Sequence, residues 1–300
     1  MNRKINMILK NPFLLFMALG HRGFFNWMSD ELYLRISYRI KMGTKLNLEN
    51  PQTLNEKLNW LKIHDHRPEY VNMVDKYEVK KYIAEKVGAE YTVPNLGVWN
   101  SFDEIDFNIL PDQFVLKCTH DSGGIVLCTD KSKFDKQAAR KKINKCLKHN
   151  YFYGSREWAY SKVSPRIIAE PYMVDESGIE LKDYKIFCFN GHPDYVEVDF
   201  NRWIEHKLNP YDFDWKPLNF CDSSKNDYEA NIPKPQRLED MRRLAAELSK
   251  DIPFLRVDFY CIYDKIMIGE LTLQPGSGFI QYEPRSTDEL YGKKLKLPTL

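Results

Sequence analysis

Arg256-Val257-Asp258-Phe259-Tyr260, followed by Gly269-Glu270-Leu271-Thr272-Leu273-Gln274-Pro275-Gly276-Ser277-Gly278-Phe279, is the stretch that decides how this chain folds. Apolar residues alternate with polar ones in both pieces, and Tyr263-Asp264 supplies a turn between them, so strands are expected over 255–262 and 265–273. Side chains two apart in a strand share a face, which puts Arg256 beside Asp258 and Glu270 beside Thr272. If the strands pair, one face carries two carboxylates, a guanidinium and a hydroxyl. Such hard oxygen donors suit Mg²⁺ held together with substrate phosphates. The competing reading is a solvated face where the Arg and the carboxylates only pair across strands. The Pro275-Gly276-Ser277-Gly278 turn favours the first, because backbone amides there can approach an anion.

Two further pieces carry cations to strands. Lys117 ends the apolar run Phe114-Val115-Leu116 and precedes the small turn Ser122-Gly123-Gly124, where an ammonium can meet phosphate oxygens. A lysine snorkelling from a strand end, over a plain hairpin turn, is the alternative. Lys185 lies on the apolar strand 184–189, where a core-facing lysine needs an anionic partner.

Elsewhere the chain reads as α+β with antiparallel sheets and no regular βαβ alternation. Helical signals dominate the first hundred residues. Ser29 caps a helix running to Gly43, and Thr53 with Glu56 forms a capping box. Asp75 with Glu78 repeats that device before a helix stopped by Gly88. Tyr91-Thr92-Val93-Pro94 reads as a short strand. Further strands are expected at 114–118, 125–128, 166–170 and 184–189, with Asn190-Gly191 turning the last into 194–198. Helices are expected over 135–149 and 238–248. The first is strongly basic, with eight Lys/Arg and one acid in 131–150, and is either a solvated face or an attractor of polyanionic glycan or lipid.

Composition excludes several classes. The 300 residues are 43% hydrophobic and include 17 Phe, 18 Tyr and 6 Trp, enough for a sizeable core. A net charge of +2 is no footprint for nucleic acid. The six Cys form no CxxC pair and no zinc spacing, and a cytoplasmic location is expected. No GxGxxG or GxxxxGK[ST] is present. The run Phe13 to Leu19 after Lys4 and Lys10 is shorter than the ~20 residues of a membrane span. It is read as a helix packed on the protein, a secretory signal, or a basic-aromatic anchor on the inner membrane face.

Five motifs in order, Asn55-Glu56-Lys57-Leu58, Asp75-Lys76-Tyr77-Glu78-Val79, Phe114-Val115-Leu116-Lys117-Cys118, Asp183-Tyr184-Lys185 and Arg256-Val257-Asp258-Phe259, precede the ending at 269–279. Together they resemble the ATP-grasp superfamily, specifically its TupA-like branch found with bacterial surface-polysaccharide genes. The ending also looks like that of D-alanine–D-alanine ligases. The resemblance covers roughly residues 45–300. It implies two α+β subdomains gripping ATP, at 110–178 and 179–300, preceded by a helical N-terminal and acceptor region at 1–109.

By that resemblance Lys117 and Lys185 contact phosphates under the Ser122-Gly123-Gly124 loop. Glu170-Pro171-Tyr172-Met173 holds adenine by backbone groups and the Glu170 carboxylate. Asp258, Glu270 and Thr272 ligate Mg²⁺, and Arg256, with Lys185, serves the transferring phosphoryl group. Thr272 stands where the superfamily usually has Asn, which leaves metal number open. His120, beside the loop, has either a phosphate contact or a structural role, and Arg202 and Trp203 are candidate phosphate or acceptor contacts. The implied activity is ATP-dependent ligation of a carboxylate, through an acyl phosphate, to an amine acceptor on a cell-surface polysaccharide or precursor. The rivals are a kinase with the same grip, or a glycosyltransferase using a nucleotide-sugar. The glycosyltransferase would need a metal-binding motif such as Asp212-Phe213-Asp214, here expected to be a loop with solvated acids.

Overall fold

Residues 184–189 are buried throughout and 255–259 nearly so, as central strands require, and these two pair at the centre of a sheet. The structure, a computed structural model, describes residues 12–121, 123–202, 204–222 and 225–299. The central strands are β5 (Asp183–Phe189) and β8 (Phe254–Ile262). They are flanked by β6 (His192–Phe200), β7 (Lys207–Tyr211) and β9 (Lys265–Thr272) in the order β7-β6-β5-β8-β9, all antiparallel. Asn190 and Gly191, at φ 50° and 82°, turn β5 into β6 as expected from Asn-Gly. A smaller antiparallel sheet has the order β1-β4-β2-β3, with β1 (Gly97–Trp99), β2 (Phe114–Cys118), β3 (Ile125–Cys128) and β4 (Ile167–Pro171).

One side of the large sheet, carrying Ile186, Val196, Val198, Val257 and Phe259, buries against Met241, Leu244, Ala245 and Leu248 of helix 238–249. The other side is aromatic at one end, where Phe187, Phe254 and Tyr195 meet Tyr33, Leu54 and Leu58 of the N-terminal helices. Those helices are α1 (Pro12–Gly20), α2 (Asp30–Met42), α3 (Leu54–His64), α4 (Glu69–Val74) and α5 (Glu78–Val87). Ser29 and Gly43 cap α2, and Thr53 with Glu56 forms the capping box of α3. Within the apolar run, α1 packs on the body: Phe16 stacks on Phe25 at 4.5 Å and lies 5.0 Å from Tyr33. Lys4 and Lys10 lie outside the described residues.

Two local expectations are corrected. Asp75 does accept from the Tyr77 and Glu78 amides, but Glu78 pairs with Arg166 instead of reaching back, so only half a capping box forms. The segment 91–94 is no strand. A 3₁₀ turn at Ala89–Tyr91 precedes a single bridge from Thr92 to Ile268, and the small sheet's edge begins at Gly97. The basic helix α6 (Lys136–Leu147) buries Ala139 and Ile143 against the small sheet's core and leaves most of its lysines in solvent.

Candidate functional site

Register assembles the site. β8 and β9 pair Arg256 with Thr272 and Asp258 with Glu270, while β5 places Lys185 opposite Asp258 and β6 places Glu197 opposite Lys185. The result is one row, Glu197–Lys185–Asp258–Glu270, across four strands, with Arg256 and Thr272 in the next row. The expectation of two carboxylates, a guanidinium and a hydroxyl on one face therefore holds as geometry. Arg256 forks onto Asp258 at 2.7 and 2.6 Å and also reaches the Thr272 hydroxyl at 3.2 Å. Burial pushes the Asp258 carboxyl up to about 6, with Arg256 opposing the rise. At Gly269 a Cβ would stand 2.6 Å from the Tyr260 ring, so any other residue there would force that ring to shift.

Lys185 is buried and donates to Asp199, which Arg202 also contacts at 2.8 Å. Burial and Arg256 pull the Lys185 ammonium down, but Asp199, Asp258 and Asp183 outweigh them and its pKa is raised. Arg202 is thus committed to Asp199 and Asp183, and Trp203 lies outside the described residues.

The small sheet contributes from across the cleft. Lys117 meets one Glu170 oxygen at 2.5 Å and Lys80 meets the other at 2.6 Å, so the Glu170 carboxylate is occupied by two ammoniums. Tyr172 and Met173 follow directly from β4, half-buried. In the turn after Lys117, Gly124 donates to Asp121 at 2.8 Å, and a Cβ on Gly123 would meet nothing within 4 Å; Ser122 lies outside the described residues. His120 turns inward, its Nε2 2.9 Å from the His149 carbonyl, which is the structural alternative. Asp212 accepts from the Lys216 amide in a turn after β7, and Asp214 is solvated, so that pair forms a loop as expected.

Lys76 joins the two sheets. Its ammonium donates to the Asp121 carbonyl at 2.8 Å and lies 3.8 Å from Glu270. Burial pushes the Glu270 carboxyl up, but Lys76, Arg256, Lys117 and Lys185 outweigh it and its pKa is lowered. Asp258, Glu270 and Thr272 offer the oxygen chemistry that Mg²⁺ takes when phosphates complete its shell. Among the described residues no group of three His, Cys, Asp or Glu is placed to hold a metal ion.

Sequence reasoning missed the support beneath the 275–278 turn. Asn55, Asn59 and Lys62 recur at helical spacing along α3, and each bonds to the chain around the turn. Asn55 exchanges two 2.8 Å bonds with Ile280, Asn59 donates to Gly278 at 2.7 Å, and Lys62 donates to Ser277 at 2.6 Å and Ser155 at 2.9 Å. These bonds hold Gly276, Ser277 and Gly278 at φ 54°, 52° and 66°, a left-handed run that Ser277 would not adopt unaided. Burial pulls the Lys62 ammonium down to about 8, with Glu157 opposing. Replacing Lys62 by Met should cost about 3 kcal/mol in denaturant unfolding, because Glu157 and two carbonyls lose their buried cation. The folded chain releases this proton before the unfolded one does. Wild-type stability relative to Lys62→Met should therefore rise between about pH 8 and the ordinary lysine value of 10.5.

A family model described as TupA-like ATPgrasp matches residues 56–296. No match is found among curated proteins. Among solved structures, the D-alanine–D-alanine ligase of Bacillus anthracis is 15% identical over 75% of this chain and 61% of its own, with a TM-score of 0.38. The Helicobacter pylori enzyme is 16% identical over 81% of this chain and 69% of its own, also at 0.38. The ATP-grasp ligase PsnB, solved with its minimal precursor, Mg and ADP, is 9% identical over 73% of this chain and 57% of its own, at 0.37. The chain thus spans less than two thirds of the length of the first and third of these. With the family model covering well over half of the sequence, this chain belongs to the TupA-like ATP-grasp family and has its α+β fold.

Proposed function

We propose that the protein is an ATP-dependent carboxylate ligase that works through an acyl phosphate and forms an amide on a bacterial cell-surface polysaccharide or its precursor. The observation that carries this reading is the row Lys185–Asp258–Glu270 with Arg256 beside it, faced by Lys76. Phosphoryl transfer asks for positioning and charge neutralisation more than for a nucleophile, and this face supplies both. The most buried thiols fit that division of labour, since burial pushes Cys118 and Cys188 well above the ordinary thiol range. Lys117 and Lys185 would hold phosphates, under Gly123, Gly124 and Ser122, and the backbone from Glu170 to Met173 would receive adenine. Asp258, Glu270 and Thr272 would hold Mg²⁺, which when bound neutralises phosphate charge. Arg256 would face the transferring group.

The working division is an N-terminal region at 1–109, a small subdomain at 110–178 and a metal-binding subdomain at 179–300, with β1 of the first region completing the small sheet. The location we assign is the cytoplasm, with peripheral membrane contact and no nucleic-acid partner. Exposed Phe24 and Trp27, 65% and 75% open beside exposed Arg22, support that contact. No helix among the described residues is long and apolar enough to cross a membrane.

Following ADP release against uronic acids and amines tests the reaction directly. Nucleotide choice separates it from the glycosyltransferase. ATP with Mg²⁺ at a hundredfold excess over Kd should stabilise the fold by about 2.7 kcal/mol, read as a raised Tm, while a uridine nucleotide-sugar should not. The reverse pattern would favour glycosyl transfer. ADP release onto a hydroxyl acceptor, with no amide product, would favour the kinase.

A further inference from the structure

Among the described residues, Glu197 is the one carboxylate of the charged sheet face that the site leaves unused. Asp199 has Lys185 and Arg202, Asp183 has Arg202, and Asp258 has Arg256. Glu197 is only 4% exposed, yet its carboxyl makes no hydrogen bond or ion pair among the described residues. It lines a pocket of about 340 Å³ whose wall also includes Arg256, Asp222, Phe187, Phe279 and Ser277. A buried carboxyl with no hydrogen-bond partner is costly, and an arriving cation would meet it. Met17, Pro275 and Ile280 add apolar wall, Lys41 and Gln281 also line the pocket, and the volume is near the lower end for small-molecule sites.

We propose that this pocket takes the amine substrate, a primary ammonium on a small and partly apolar body, and that Glu197 binds that ammonium and accepts its proton. The assignment rests on the ligase reading above and names the residue that prepares the nucleophile. An ammonium has no free electron pair. It passes one proton to the Glu197 carboxylate, and the freed nitrogen lone pair attacks the acyl carbon of the acyl phosphate. A C–N bond forms, the C–O bond to phosphate breaks, and the leaving phosphate takes the second N–H proton. The products are an amide and hydrogen phosphate, and Glu197 returns its proton to solvent. Burial pushes the Glu197 carboxyl well above the ordinary range; Lys185 and Arg256 oppose the rise, and Asp222 and Asp199 add to it.

The test compares nucleophiles in Glu197→Gln, an uncharged isostere that relieves repulsion from Asp222 and Asp199 and so should fold. ADP release is followed with ATP, Mg²⁺ and a uronic-acid panel, using alanine or glucosamine as ammonium nucleophiles and hydroxylamine as one already neutral at pH 7. Turnover with alanine or glucosamine should fall about 10²–10⁴-fold, while hydroxylamine turnover stays within about threefold of wild type. Whichever of the two ammonium nucleophiles the wild type uses tells an amino acid from an amino sugar. Equal loss with every nucleophile, or no loss with any, overturns the assignment. If the wild type releases no ADP with any nucleophile, the ligase reading fails, and binding then decides the role of Glu197. A Tm rise with alanine or glucosamine should disappear in Glu197→Gln; an equal rise, or none in either protein, overturns the ammonium site.

Discussion

Glu270→Gln should give a folded protein that turns over about 10²–10³-fold more slowly, since one preorganised stabiliser of developing charge is lost. Glu270 stands directly opposite Asp258, and its side chain keeps 37% of its surface open to the cleft. Gln preserves the shape and one carbonyl acceptor but removes the charge that Lys76 and Arg256 now favour. A pair this open contributes little to stability, about 1 kcal/mol or less, so Tm should hardly move. If Glu270 holds Mg²⁺ as proposed, the Mg²⁺ concentration needed for half-maximal rate should rise, because one of two carboxylate donors is gone. A sharply lowered Tm, with a normal rate per folded molecule and unchanged Mg²⁺ dependence, would make Glu270 a structural counter-ion for Lys76 and Arg256.

The architecture of this face was legible because strand periodicity is short-range. Arg256, Asp258, Glu270 and Thr272 announce their shared face by spacing of two, and Tyr263-Asp264 and Asn190-Gly191 announce which strands are neighbours. The Asn190-Gly191 hairpin also sets Glu197 opposite Lys185 and brings Asp199 to its ammonium. What spacing cannot announce is the partner across a long loop. Lys80 reaches Glu170 across ninety positions, and Lys62 reaches Ser277 across 215, with no local pattern to predict either. Asn55, Asn59 and Lys62 did carry a signal. They repeat at helical spacing alongside Leu54, Leu58 and Leu61, and a polar stripe sharing a buried face asks for partners. At 91–94 the β-branched residues misled, because the chain there makes one bridge to Ile268 and no ladder.

The small sheet's polar core carries the second large effect. Glu170 sits on β4 with one oxygen on Lys80 and the other on Lys117, and both lysines are mostly withdrawn from water. Burial alone would push the Glu170 carboxyl up, but Lys117 and Lys80 outweigh it and its pKa is lowered. Glu170→Gln leaves two ammoniums facing one neutral amide, an uncompensated buried charge that should cost about 3–5 kcal/mol in unfolding. The sign of the pH dependence follows from the lowered pKa. The wild-type advantage should be full above the ordinary glutamate value of 4.5 and lost as pH falls below it, where Glu170 protonates. Nucleotide separates the two roles open to this carboxylate. If it chiefly neutralises Lys80 and Lys117, a polyphosphate can replace it as their counter-ion. ATP should then raise the Tm of Glu170→Gln by more than it raises that of the wild type at equal concentration. If the carboxylate instead holds adenine, the variant loses a ligand contact and its ATP-induced rise should be the smaller of the two. With both oxygens already bound to ammoniums, the larger rise is the expected result.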